Sequence, residues 1–111
     1  MGLSTHILDI SAGLPVAEIS ITLAKLQDET WQYVGIGKTD SDGRCKTLLG
    51  ESSLEAATYR IRFATAGYFV DQNLTSLYPY VDIIFTVANP AQHYHIPLLL
   101  TANGYSTYRG S

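Results

Sequence analysis

The sequence predicts an all-β fold: a two-sheet antiparallel sandwich of about eight short strands, with one short helix. Three observations point there. Val, Ile and Thr together number 25 of the 111 residues and Tyr adds 8, and these side chains suit a pleated, half-buried surface. Strand-length runs recur about every ten positions, separated by turn residues, which is the rhythm of sandwiches and barrels. Apolar residues make up 46% and charged residues 15%, so the chain can bury a core and is not a disordered one.

The elements follow in order. Thr5–Ile10 alternates His6, Leu8 and Ile10 on one side with Thr5, Ile7 and Asp9 on the other. Ser11-Ala12-Gly13-Leu14-Pro15 breaks that run. Ile19–Leu26 follows, with Ile19, Ile21 and Leu23 opposed to Ser20 and Thr22, and Gln27-Asp28-Glu29 turns the chain into Trp31–Ile36. Thr39-Asp40-Ser41-Asp42-Gly43 is a turn with a mechanism, because Asp and Ser side chains bond nearby backbone and Gly supplies positive φ. Arg44–Leu49 reads as a short strand. Ser52 and Glu55 have capping-box spacing, but the segment 50–57 is too short to hold a helix alone and reads as loop or a single turn. In Thr58–Ala64, Tyr59, Ile61 and Phe63 alternate with Arg60 and Arg62. Tyr68–Leu74 is the helix candidate. Tyr80–Val87 is a strand with Pro79 at its mouth. Tyr94–Leu100 and Thr101–Tyr108 end the chain around a local turn or bulge at Asn103-Gly104. Residues 1–111 read as a single domain, with no repeat or linker.

Charge and composition exclude several functions. The net charge is −3 and the pI about 5.4, with the four Arg and three Lys scattered, so nucleic acid is not an expected partner. The longest apolar stretch, Ile96 to Leu100, is five residues, far below the ~20 that span a bilayer. No basic, apolar leader is visible at the start, and His6 stands where N-myristoylation would want Ser or Thr. The single cysteine, Cys45, has no intramolecular disulfide partner and fits a reducing compartment. The cytoplasm is the expected location, with a mature periplasmic chain as the alternative. The terminal Arg-Gly-Ser is not a peroxisomal signal.

The candidate chemistry lies in a few side chains. In Gln92-His93-Tyr94-His95 the two imidazoles sit two apart and share a side of a strand. Such a pair could ligate a metal, do acid–base work, or be ordinary polar residues at a strand start. His6 is either a hydrogen-bonded structural residue or a group that exchanges protons near neutrality. Arg44 is by default a solvated turn charge, yet its planar fork of donors suits a carboxylate or the oxygens of a heterocycle. Tyr108-Arg109-Gly110-Ser111 reads as a fraying tail or as a lid over a pocket. Cys45 reads as a small core residue, and Asp40 and Asp42 as turn formers. No nucleophile elbow, phosphate loop or HExxH motif occurs.

Taken together, Ser4-Thr5-His6-Ile7-Leu8-Asp9, Asp42-Gly43-Arg44, His93-Tyr94-His95-Ile96-Pro97-Leu98-Leu99 and the terminal Gly104–Ser111 resemble the 5-hydroxyisourate hydrolase family, transthyretin-related enzymes of urate breakdown. The resemblance covers essentially the whole chain, and the terminal tetrapeptide is its most specific mark. It implies a transthyretin-like sandwich of eight strands with a helix after the fifth. It also implies a homotetramer, a dimer of dimers, with active sites in the channel where dimers meet. The implied reaction is hydrolysis of the N1–C6 amide of 5-hydroxyisourate without metal or other cofactor. Catalysis is implied for His6, Arg44, His95 and Ser111, and substrate binding for these four with Tyr108, Arg109 and Gly110. His93 matches the family pattern without being a main catalytic residue in it. Val16-Ala17-Glu18 departs from a small-residue stretch ending in Gly, and Tyr80 stands where an acidic residue is common. Two other readings remain at this stage: a small-molecule carrier of the transthyretin type, which lacks the tail and the histidines, and a structural β-domain that uses its sheet edges.

Overall fold

The computed structural model describes residues 2–111 as two sheets packed face to face. In chain order the strands are β1 (Leu3–Asp9), β2 (Leu14–Pro15), β3 (Ser20–Gln27), β4 (Thr30–Lys38), β5 (Arg44–Cys45) and β6 (Ala57–Phe63). The helix α1 (Ala66–Val70) precedes β7 (Val81–Val87), β8 (Tyr94–Thr101) and β9 (Gly104–Thr107). One sheet runs β2-β1-β8-β9, with β5 also on β1, and the other runs β4-β3-β6-β7. Alternation explains the packing: Leu3, Thr5 and Ile7 of β1 point inward, as do Tyr94, Ile96, Leu98 and Leu100 of β8. They meet Ile21, Leu23, Tyr59, Ile61, Phe63 and Val81 of the opposite sheet.

The sandwich is the expected one, and the differences are local. Leu14–Pro15 was expected only to break the chain, but it adds a two-residue strand against Leu8 and Asp9, so α1 follows the sixth strand rather than the fifth. One ladder is not antiparallel: β1 and β8 run parallel from Leu3↔Tyr94 to Asp9↔Leu100. Most of the chain lies between them, which gives the crossover a parallel pair requires.

The expected strand Arg44–Leu49 stops at Cys45, because the chain dives into the core and buries Leu48 completely. Gly35 of β4 makes room for this: a Cβ there would lie 1.9 Å from the Leu48 carbonyl oxygen. The helix is also two residues earlier and shorter than Tyr68–Leu74. Asn73 takes φ 59°, and Leu74 N–H donates to the Phe69 carbonyl at 2.9 Å, a left-handed C-terminal closure that ends the helix before Leu74.

Candidate active site

β1 is the centre of the site. It pairs with β5 on one edge and β8 on the other, so its outward residues acquire neighbours from segments far along the chain. His6 lies opposite Arg44 on β5 and opposite Pro97 on β8. Ser4 lies opposite His95, and His95 bridges to Gly110 of the tail. Cross-strand partners share a face, so His6, Arg44, Ser4 and His95 are gathered on the outer face of one sheet. Tyr108 follows directly after β9 and is 56% exposed.

The turn before β5 aims Arg44. Asp40 Oδ1 accepts from the backbone N–H of Asp42 at 2.9 Å and of Arg44 at 3.0 Å. The Arg44 N–H bond, more than any other contact, holds the Asp40 carboxyl below its ordinary pKa, with the Asp42 N–H and the Arg44 and Lys46 charges adding to it. Gly43 closes the turn at φ 76°, and a Cβ there would lie 2.6 Å from the Ile7 carbonyl oxygen. Its own carbonyl accepts from Ile7 N–H at 2.8 Å, which ties the turn to β1.

His95 is held from both sides. Ser4 Oγ lies 2.8 Å from its Nδ1 and 2.9 Å from His93 Nε2. His93 Nδ1 accepts from Gly2 N–H at 3.1 Å. The expectation that both imidazoles share a side therefore holds, although His93 precedes β8. Burial lowers the His95 pKa first, and the Arg44 cation with the imidazoles of His6 and His93 lowers it further, against a smaller opposing hydrogen bond to the Ser4 backbone. These surroundings favour the neutral form of the His95 imidazole. Ser4 lies in the N-terminal motif Ser4-Thr5-His6, which by itself assigns it no role. The signal that could have found it was its position two residues before His6, on the same face of the strand.

The tail divides between two faces. Gly110 N–H donates to the His95 carbonyl at 2.8 Å, and a Cβ on Gly110 would lie 2.4 Å from the His95 ring. Arg109 turns to the other side. Its guanidinium lies 4.2 Å above the Tyr94 ring centroid and donates to Gln92 Oε1 at 3.1 Å and the His93 carbonyl at 3.3 Å. In this chain Arg109 anchors the tail and does not join His6 and Arg44. Ser111, the terminal residue, is exposed. A cleft of about 400 Å³ lies on this reverse edge, bordered by Ile84, Tyr94, Tyr108 and Arg109, away from the imidazole cluster. Among the described residues no group of three or more His, Cys, Asp or Glu side chains is placed to hold a metal ion.

This arrangement can position water with imidazole nitrogens and place a cation beside a planar, oxygen-rich ring. Comparison with known proteins decides its lineage. Residues 3–110 match the family described as HIUase/Transthyretin. The chain belongs to that family. A relative named 5-hydroxyisourate hydrolase, from Caulobacter vibrioides, is 40% identical, covering 99% of this chain and 98% of that one. The solved structure of Klebsiella pneumoniae 5-hydroxyisourate hydrolase is similar with a TM-score of 0.85 at 31% identity, each chain fully covered. Sea bream transthyretin in complex with thyroxine superposes with a TM-score of 0.91 at 28% identity, covering 99% and 95% of the two chains. The fold is therefore shared by a hydrolase and a thyroxine-binding protein, and the side chains on the outer face have to discriminate between them.

Proposed function

We propose that this chain is a 5-hydroxyisourate hydrolase, opening the N1–C6 amide to give 2-oxo-4-hydroxy-4-carboxy-5-ureidoimidazoline. The observation that carries the reading is the convergence of His6, Arg44 and His95 on one sheet face, in a chain that matches hydrolase-named relatives over 98% of its own length. A carrier of apolar ligands needs no such cluster.

The chemistry follows from the donors. Water is a weak nucleophile at neutral pH, and a positioned base accelerates its attack by roughly 10²–10⁴-fold. One of the two imidazoles takes a proton from water as its oxygen bonds to C6. The C6–N1 bond then breaks and the proton passes to N1. Arg44 holds ring oxygens and stabilises the negative charge that builds at the attacked carbonyl. Tyr108, Gly110 and Ser111 border the substrate, and Arg109 holds that border in place. The residues supply the polarisation themselves, so no cofactor is invoked.

The outer face is open, and a flat surface cannot exclude water from a reacting ring. The proposed assembly is a homotetramer, a dimer of dimers, in which the same face of a second copy covers the site. The cytoplasm is the proposed compartment, supported by the single free thiol of Cys45. Localisation of a tagged chain in intact cells checks it.

The test follows the ultraviolet decay of freshly made 5-hydroxyisourate with and without the protein. Micromolar protein should accelerate it, and Arg44→Ala or His6→Ala should remove most of the acceleration. If the wild-type protein left the decay unchanged, the carrier reading would replace this one.

A further inference from the structure

The chain of hydrogen bonds behind His95 has a direction, and the backbone sets it. Gly2 N–H donates to His93 Nδ1 at 3.1 Å, so that nitrogen carries a lone pair. A neutral His93 then bears its proton on Nε2, which lies 2.9 Å from Ser4 Oγ. The Ser4 oxygen accepts that proton's bond and turns its own O–H toward His95 Nδ1 at 2.8 Å. The reverse polarity would require a proton on His93 Nδ1, facing the Gly2 N–H donor-to-donor. Ser4 could instead accept from both rings, but its own O–H would then have no partner in the network, and only the first arrangement also uses that proton.

We propose that Ser4 and His93 are positioning residues that lock His95 in the Nε2–H tautomer, so that His95 presents a hydrogen-bond donor to the substrate while His6 serves as the base. The inference rests on the hydrolase reading. The second nitrogen of an imidazole sets what the first can do, and a neutral imidazole N–H aimed at a developing oxyanion stabilises it without changing charge. The charged groups facing His95 favour a neutral ring: Arg44 from β5, His6 from β1 and His93 from the preceding loop all disfavour a further positive charge, against a smaller opposing contribution from the Ser4 backbone. The tail offers it only the backbone of Gly110. In the reaction, the water proton goes to His6 as the C6–O bond forms, and His6 returns it to N1 as C6–N1 breaks. His95 keeps its own proton throughout.

The chain has three histidines, so two-bond ¹⁵N–¹H correlation spectra of ¹⁵N-histidine-labelled protein at pH 7 resolve each tautomer. Wild type should show His95 and His93 protonated on Nε2. Ser4→Ala should leave His95 a mixture of tautomers and lower kcat about tenfold with little change in KM, the loss of roughly one hydrogen bond. Ser4→Thr, which keeps the hydroxyl, should restore the single tautomer. His95 protonated on Nδ1 in the wild type would overturn the proposal, and so would a Ser4→Ala protein with unchanged tautomer and kcat. The wild-type spectrum needs no variant to fold and no substrate. A protein that ignores 5-hydroxyisourate yet shows His95 protonated on Nε2 defeats the functional reading alone. Brisk turnover with His95 protonated on Nδ1 defeats only the tautomer assignment.

Discussion

Gly110 matters for the side chain it lacks. Its Cα hydrogen occupies the space a methyl group would need, 2.4 Å from the His95 ring. Gly110→Ala must displace either the tail or the imidazole. Because a displacement near 1 Å can lose about 10²-fold in rate, turnover should fall by about that factor while the thermal unfolding midpoint barely moves. Initial rates and circular dichroism together check this. His95 also links stability to pH. Its folded pKa is lowered, so below the ordinary imidazole range the unfolded chain takes up a proton that the folded chain refuses. Stability should be full above that range and fall as pH drops through it toward the lower folded value. His95→Gln should flatten that part of the profile in denaturant titrations. Glu18, where the family resemblance leads one to expect Gly, sits at φ 66°. A left-handed conformation strains a residue with a Cβ by about 1–2 kcal/mol, and Gly gives back part of that in unfolded-state entropy. Glu18→Gly should therefore raise stability by up to about 1 kcal/mol in urea titrations. Tyr80, where the family resemblance leads one to expect an acidic residue, places its ring 4.2 Å from the Arg62 guanidinium, which also pairs with Asp82 at 2.7 Å.

At the scale of elements, α1 is five residues long and too short to stand by propensity. It is held by packing and by one bond across the core: Tyr68 Oη donates to Asp9 Oδ2 at 2.5 Å. Asp9 is buried and accepts its other bonds from Ser11 and Ala12 N–H at 2.9 and 3.1 Å. Tyr68→Phe leaves that buried carboxyl short of a donor and should destabilise the fold by about 1–3 kcal/mol, read from urea midpoints. The long strands were legible because their inward residues repeat every second position. The segment after Cys45 was not. Lys46-Thr47-Leu48-Leu49 carries no local signal that it leaves the sheet, since the vacancy filled by Leu48 is made by Gly35 on another strand. The helix was misplaced for a similar reason: Tyr68 and Leu74 fit a helical stripe, but the left-handed turn at Asn73 ends it.

Across the whole molecule, the polar cluster lies on an exposed sheet face, and the proposed function needs that face covered. Specific activity should therefore fall on dilution, as the proposed tetramer dissociates, while far-ultraviolet circular dichroism stays constant. Activity per chain that is independent of concentration down to the monomer would count against the shared site. The sequence by itself determined the sandwich, the strand sequence, and the short list of His6, Arg44, His95 and the terminal tetrapeptide as candidates. Periodicity of two and residue chemistry are local properties that survive in a string of letters. Only the tertiary structure decided that β1 and β8 run parallel, that Ser4 joins two imidazoles, and that Arg109 turns away from Gly110 to clamp Tyr94. Those facts depend on register between segments some ninety residues apart, and hydrogen-bond polarity exists only once both partners are fixed in space.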